Sequence, residues 1–542
     1  MPQYEFGEWL PDQPVIALPG LQDCYNAIPT ARGYRPFPGL VKEIGKDPLP
    51  SKCRGAFTGE TENGTEFIVA GTDSNNNDAK LNVAFGSQMG WIDASPSTAL
   101  STMDAAAKWD FAQYGDQVIA VAKGIDPQVI NLSTTPSSGS FSDLGAGASQ
   151  AGCVAVFKNF AILGDLVGVD GSSSGNAAAI GTRSNAIHWS AIGDLTNWPV
   201  VGSDAAVNAQ SDWQLLDGNG GAVTAIVPGG EYCAIFQERA TWRLDYVGSP
   251  NVFSLRLIEA STGCAIPRSA VAVNNVVYFL SNQGLMAFDG SSVRSIGSER
   301  VDKTFLDRLD RTYVDRVFAA HNSELHCVFW SLQESEESAQ FMFSYQYEMD
   351  RWSEVYVGNA ECLFSALEPN VTGSLDTEPY ASLKMDNAAG TSGDPSTLQN
   401  ANLDSLGVSR GRSVLGVFSN RSLSTFSDFQ NVSTVKIETG DLEVPDGRRA
   451  IVKYIRPAVD ASNLYLVVHG RNSQSENYIS KNYRDSKNDG VYLPKTPLFN
   501  YNGVHHTPGR VGGRYLKASF SASGLVELYG FDVELQKATS KR

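Results

Sequence analysis

From about residue 53 the chain repeats one grammar with a period of roughly 40–50 residues, the length of a propeller blade. Each unit holds an apolar strand, a short Gly/Asn turn, a second apolar strand and a strand ending in a polar-aromatic signature. The third unit, Gly152–Trp198, reads CVAVFKNFAILGDLVG and then NAIHWSAIGDLTNW; the fourth, Ala222–Ile258, contains IFQERATWRLDYV. The others are Arg54–Asp93, Lys108–Leu144, Cys264–Ile296 and Arg316–Val357. A sheet of this kind cannot bury both of its faces alone, so stacking neighbours into a ring must supply the core. Cys362–Leu367 and Ser413–Thr425 return to strand text and complete a last blade. The expectation is an all-β fold with a β-propeller of six or seven blades over residues 51–430.

The two ends depart from this grammar. Residues 1–50 are rich in Pro and Gly, with little strand signal and with aromatic pegs at Phe6, Trp9, Tyr25, Tyr34 and Phe37. Proline removes backbone donors, so this reads as an extended N-terminal arm that packs by side chains and staples the fold or clasps a neighbour. Residues 431–542 carry longer alternating strands, such as YLKASFSAS and LVELYGFDVEL, and read as a separate C-terminal β-sandwich. Within Glu299–Asp315, Val301, Phe305 and Leu309 recur at helical spacing and predict one short amphipathic helix. Pro369–Gly411 is polar and Ser/Asn/Gly-rich, and reads as a long surface insertion.

Composition narrows the function classes. Asp plus Glu number 59 against 42 Lys plus Arg, a net charge of −17. Such a surface repels nucleic acid, which excludes a general DNA coat but not a pore along which a polyanion slides. The opening MPQYEFGEWLPDQP has neither a basic nor an apolar signal region, and no apolar run reaches ~18 residues, so neither secretion by a signal peptide nor membrane insertion is expected. The seven cysteines are scattered without CxxC spacing and read as buried core thiols.

No catalytic motif survives inspection. Gly171–Gly175 matches G-x-S-x-G, but the text after it, NAAAIGTRSNAIHW, is too short and strand-like for a nucleophile elbow. Asp73–Asp78 opens like a calcium loop but lacks the Gly at its sixth position and has Ala84 where a bidentate Glu is needed. The six histidines (His188, His321, His326, His469, His505 and His506) have no metal-site spacing. Glu238, Asp245, Glu348 and Asp350 are the carboxylates a propeller glycosidase would draw on, and no sialidase-type box accompanies them. Trp91, Trp198, Trp242 and Trp352 read as blade-packing pegs rather than sugar platforms. No catalytic, cofactor-binding or metal residue, and no cofactor, is therefore expected.

Three stretches together resemble the tail nozzle, or packaged-DNA stabilisation, proteins of short-tailed bacteriophages: the arm EWLPDQPVIALPGLQDCYNAIPTARGYRPFPG, the middle block from NAIHWSAIGDLTNWP through STGCAIPRSAVAVNNVVYFLSNQGLMAFDGSSVRSIG, and the terminal GRYLKASFSASGLVELYGFDVELQ. The resemblance implies a non-enzymatic virion component made in the host bacterial cytoplasm. It implies a homo-oligomer, a hexameric ring below the portal and the tail adaptor. Such a ring extends the channel for viral double-stranded DNA, retains the packaged genome and attaches tail fibres or a tail needle. Pro369–Gly411 would narrow that channel or face the fibres and needle. Two other classes fit a propeller: a receptor-binding module for host surface glycans, and a glycan-degrading enzyme.

Overall fold

Seven four-stranded antiparallel blades, six of them separate sheets and one part of a ten-stranded sheet, follow one another around a ring in a computed structural model of the chain. The structure describes residues 3–537 except 16–17, 19, 43–46, 74–78, 86–89, 104–105, 134–140, 168–174, 335–339, 368–412, 429–431, 445–448, 461–462, 474–478, 483–510 and 525–526. Blade 1 is built from Cys53–Glu60, Glu66–Thr72, Leu81–Phe85 and Ile92–Asp93, and blade 2 from Asp110–Tyr114, Gln117–Val121, Gln128–Asn131 and Ser142–Asp143. Blades 4, 5 and 6 begin at Val223, Ala270 and Ala319 and likewise run in chain order. The first strand of each blade touches the first strand of the next, and the first strand of blade 7, Cys362–Leu367, returns to Cys53–Glu60. The first strands therefore surround the axis, and the ring is a seven-bladed β-propeller.

Blade 3 extends past the span read from sequence. After Arg183–Trp189 the chain makes the helix Asp204–Ala209, capped by Ser203, and only then its outer strand Asp212–Leu215. Blade 7 is not contiguous either. Cys362–Leu367, Ser413–Ser419 and Ser422–Asp428 are completed by Gly39–Lys42 of the N-terminal arm.

Residues 3–42 supply five strands in all, where little strand signal was visible. Gln3–Glu5, Ala27–Thr30 and Gly33–Pro36 enter one sheet of the C-terminal sandwich with Ala450–Asp460 and Glu527–Lys537. Leu21–Tyr25 enters the other, antiparallel to Val435–Thr439 and parallel to the outer strand of blade 6 through Tyr25 and Glu354. That sheet is consequently continuous from blade 6 into the sandwich. The short pairings are held by aromatic side chains. Phe6 packs edge-on to Phe520 at 5.1 Å, Trp9 to Phe343 of blade 6 at 5.1 Å, and Phe37 to Phe426 of blade 7 at 5.1 Å. Phe6, Trp9, Tyr34 and Phe37 are buried, and one continuous apolar cluster runs from Phe6 and Phe520 to Trp330 and Trp352.

Blade-to-blade packing uses tryptophan as a peg with a polar handle, because a buried indole N–H must find an acceptor. Trp109 of blade 2 donates to the Thr72 carbonyl of blade 1 at 3.0 Å. Trp330 and Trp352 of blade 6 donate to the Ser269 and Ile296 carbonyls beside blade 5, each at 3.1 Å. Gly71 makes room for the first of these: a Cβ there would lie 2.3 Å from the Trp109 ring. The predicted short helix is Asp302–Arg308, with Val301 and Phe305 fully buried. Its N-cap residue Val301 offers no capping side chain, and Asp12 of the arm does that work, accepting from the Lys303 and Thr304 amides at 2.8 Å each. All seven cysteines are free and buried.

Candidate functional site

The propeller axis gathers charged side chains that lie far apart in sequence, all from blade-entry segments. Lys52 and Arg54 enter blade 1, Lys108 and Asp110 blade 2, Arg268 blade 5 and Asp315 blade 6. Arg54 Nη1 lies 2.5 Å and Lys52 Nζ 3.3 Å from Asp315 Oδ2, tying blade 1 to blade 6. Arg268 Nη1 lies 2.6 Å from Asp110 Oδ1, while its Nη2 donates to the Ala56 carbonyl at 3.4 Å, so it links blade 5 to blades 1 and 2. The other oxygen of Asp110 accepts the Val154 amide of blade 3 at 3.0 Å. Lys108 Nζ donates to the carbonyls of Pro267 at 2.9 Å and Val317 at 2.5 Å, and stands 4.6 Å over the Phe318 ring. The ties from blade 5 to blade 2 and from blade 1 to blade 6 join blades that are not neighbours in the ring.

Burial governs the electrostatics here. Lys108 is 5% exposed, and desolvation brings its ammonium down to about 7, opposed by Asp315 and reinforced by Arg268. Lys52 is also lowered by desolvation, with Asp315 opposing. Beside these ties lies a cavity of about 340 Å³ lined by Lys108, Asp110, Lys123, Asp165, Glu238 and Arg268, among others. Lys123 and Asp165 pair at 2.7 Å. Glu238, at the rim, pairs with Arg239 at 3.6 Å. Asp165 and Arg268 both hold positive φ, +56° and +65°, conformations that non-glycine residues adopt at a cost. The volume is that of a small-ligand pocket, whereas the major groove alone of a DNA duplex is about 12 Å wide. With Arg268 of blade 5 bonded to Asp110 of blade 2 and Arg54 of blade 1 to Asp315 beside blade 6, side chains occupy the axis and leave no duplex-wide passage along it.

The residues weighed from sequence fall elsewhere. His188 is buried against Trp198 at 4.8 Å, and desolvation takes it down to about 3. His321 and His326 flank Tyr347, and His326 Nδ1 is 2.7 Å from Glu348. His469 contacts Ser519 in the sandwich. Asp245 is held by Arg243 at 2.8 Å on blade 4, and Asp350 by Arg300 at 2.8 Å on blade 6. The four carboxylates are thus divided between two non-adjacent blades, each with its own nitrogen partner: Arg239, Arg243, His326 and Arg300. Among the described residues no group of three or more His, Cys, Asp or Glu is arranged to hold a metal. Trp198, Trp242 and Trp352 are buried, and Trp91 is half-buried against Phe418 of blade 7. Gly175 opens a short helix, Gly175–Ile180, where the text had read as strand-like. Residues 171–174, 74–78, His505, His506 and the insertion 369–411 lie outside the described residues. Sequence reasoning missed Lys108, Arg268 and Asp315, because no local pattern marks which residues reach the axis.

No family model and no curated protein matches the chain. Solved structures similar to it include YCF48 bound to D1 peptide, at 11% identity and TM-score 0.33, over 60% of this chain and 86% of that one. AztD from Citrobacter koseri aligns at 10% identity and TM-score 0.29, over 56% of this chain and 90% of that one. The extracellular domain of the putative hybrid two component system BT4673 from B. thetaiotaomicron aligns at 11% identity and TM-score 0.29, over 56% and 40% respectively. These similarities assign no function to this chain.

Proposed function

We propose that this chain is a structural subunit of a short-tailed virion, a tail nozzle that works as a closed ring of copies below the tail adaptor. The ring extends the DNA channel, retains the packaged genome and carries fibres or a needle. The observation that carries the reading is the placement of exposed apolar side chains. Ile192, Val200, Val207, Tyr246, Val247 and Leu257 lie on the outer parts of blades 3 and 4, with Val207 72% and Val247 56% exposed. They are knit together, since the Ile192 amide bonds Ala209 and the Tyr246 hydroxyl reaches Gln210. Leu40 and Val41 are exposed on the outermost strand of blade 7. Met349 and Tyr356, on blade 6, complete the exposed large apolar residues among those described. In a ring of seven blades, blade 7 faces the boundary between blades 3 and 4. Two unlike apolar patches on each subunit are what head-to-tail contacts use, and such contacts close into a ring when the rotation between neighbours permits.

The blocked axis fits this reading in one further respect: the duplex would pass between copies, at the centre of the assembly. A chain of net charge −17 would hold exiting DNA weakly. The test is the mass of the purified chain and of a Tyr246→Asp/Val247→Asp variant by light scattering. The proposal expects a ring for the first and monomers for the second. An assembly untouched by both substitutions and by Val41→Asp would remove its support.

A further inference from the structure

The axial cavity has a charge arrangement that the nozzle reading leaves unused. Three cations line it. Two of them have carboxylate partners, Arg268 with Asp110 and Lys123 with Asp165. The third, Lys108, is buried with two backbone carbonyls as its hydrogen-bond partners and makes no ion pair with a carboxylate among the described residues. An ammonium carries three donors, so one remains. Glu238, the other carboxylate of the lining, is partly exposed and pairs with Arg239. Buried charges are ordinarily paired, because removing an ion from water costs several kcal/mol that only a counter-charge offsets. Here a chain with a large acidic excess has set a buried lysine, with no ion-paired carboxylate among the described residues, beside about 340 Å³ of space and next to an arginine held at positive φ.

We propose that the axial cavity binds a small organic or inorganic oxyanion, of the carboxylate or phosphate class, with Lys108 as its principal counter-charge and Arg268 beside it. The ligand supplies the carboxylate or phosphate oxygen that Lys108 lacks and joins the entry segments of blades 2, 5 and 6 across the axis. The proposal does not depend on assembly: it concerns the interior of one propeller. The cavity's volume favours a multi-atom anion over chloride. Binding and proton uptake are linked. The groups facing Lys108 are Asp315, Arg268 and the thiols of Cys264 and Cys362, and in their presence the ammonium titrates near 7. An anion at its side raises that value, so binding at pH 8 draws in a proton and binding at pH 6 does not.

The experiment is isothermal calorimetry of the full chain with citrate and, separately, with inorganic phosphate, at matched ionic strength in chloride. It is run at pH 6 and pH 8 in two buffers of different ionisation heat. The expected result is saturable binding of one of the two probes, with proton uptake at pH 8, where the probes are ionised and Lys108 supplies the linkage, and no net uptake at pH 6, where the probe gives up its own proton. Lys108→Met should weaken that binding at least about tenfold, as the loss of a charged partner predicts. Lys123→Met, whose lysine already has a partner, should weaken it less. Should Lys108→Met fail to fold, the proton uptake by the unaltered protein still decides the matter. No saturable heat with either probe, binding without proton uptake at pH 8, or equal affinity in a folded Lys108→Met variant would each show that the axial cations are structural ties only.

Discussion

Blades 1 to 6 are each cut from one continuous run of chain, whereas blade 7 and the sandwich cannot be completed without residues 3–42. The two regions solve the same problem differently. A contiguous blade pairs its strands through short turns, so its closure entropy is small. Blade 7 pairs Leu40 with Phe426, and the sandwich pairs Tyr4 with Phe531, contacts that close nearly the whole chain. Those pairings are short, and buried aromatic pegs rather than long ladders hold them. The contiguous blades instead meet at an axis crossed by charged side chains. The lesson is that one chain uses local pairing to make modules and its two ends to lock them.

Deleting residues 1–42 breaks that comparison most severely. It removes the outer strand of blade 7 and four sandwich strands at once. The expected outcome is loss of cooperative unfolding and of amide protection in Ser413–Ser419 and Val435–Thr439, read by hydrogen exchange, with blades 2 to 4 retaining protection.

Trp9→Ala and Trp109→Ala sharpen the comparison, because each empties a fully packed site, one in the arm and one between blades 1 and 2. Both should cost about 3–5 kcal/mol by denaturant titration. The difference lies in location: Trp9→Ala should expose the sandwich amides, and Trp109→Ala those of blades 1 and 2.

The axis offers a test by pH. Burial lowers Lys108 in the folded state to about 7, so between there and the ordinary lysine range the unfolded chain binds more protons. Stability therefore rises with pH through that window, by up to about 1.4 kcal/mol per pH unit for this one group. Comparing the unaltered protein with Lys108→Met from pH 7 to 8.5 should show that rise in the first and not in the second.

The smallest effect is expected at Asp12→Ala. It removes the cap that the arm lends to the helix Asp302–Arg308 and should cost about 1 kcal/mol, seen as a lowered thermal midpoint.

The contiguous half of the molecule was legible because alternation and turn residues act over a few neighbours. VVYFLSNQGLMAF announces its hairpin through Asn and Gly, and the fold places strands at Val276–Ser281 and Gly284–Phe288. Val301, Phe305 and Leu309 announced their helix by spacing alone. The arm strands were illegible because proline and glycine lower local β propensity, while partners lying hundreds of residues away decide the pairing. The pegs Phe6, Trp9, Tyr34 and Phe37 were visible as aromatic residues in a polar setting, but not what they would pack on. Asp212–Leu215 was missed because a helix separates it from the rest of its blade. Lys108 and Arg268 reach the axis only once the ring is closed, and no local pattern records the phase at which each blade turns inward.

The account rests most heavily on the claim that this subunit is built to be ringed by copies of itself, with its two unlike apolar rims in contact and the passage left between subunits. Electron-microscopic class averages of the purified full-length chain test this directly. The account predicts closed cyclic particles with a central opening wide enough for a duplex. Solitary seven-bladed particles at every concentration at which the chain stays soluble would contradict it.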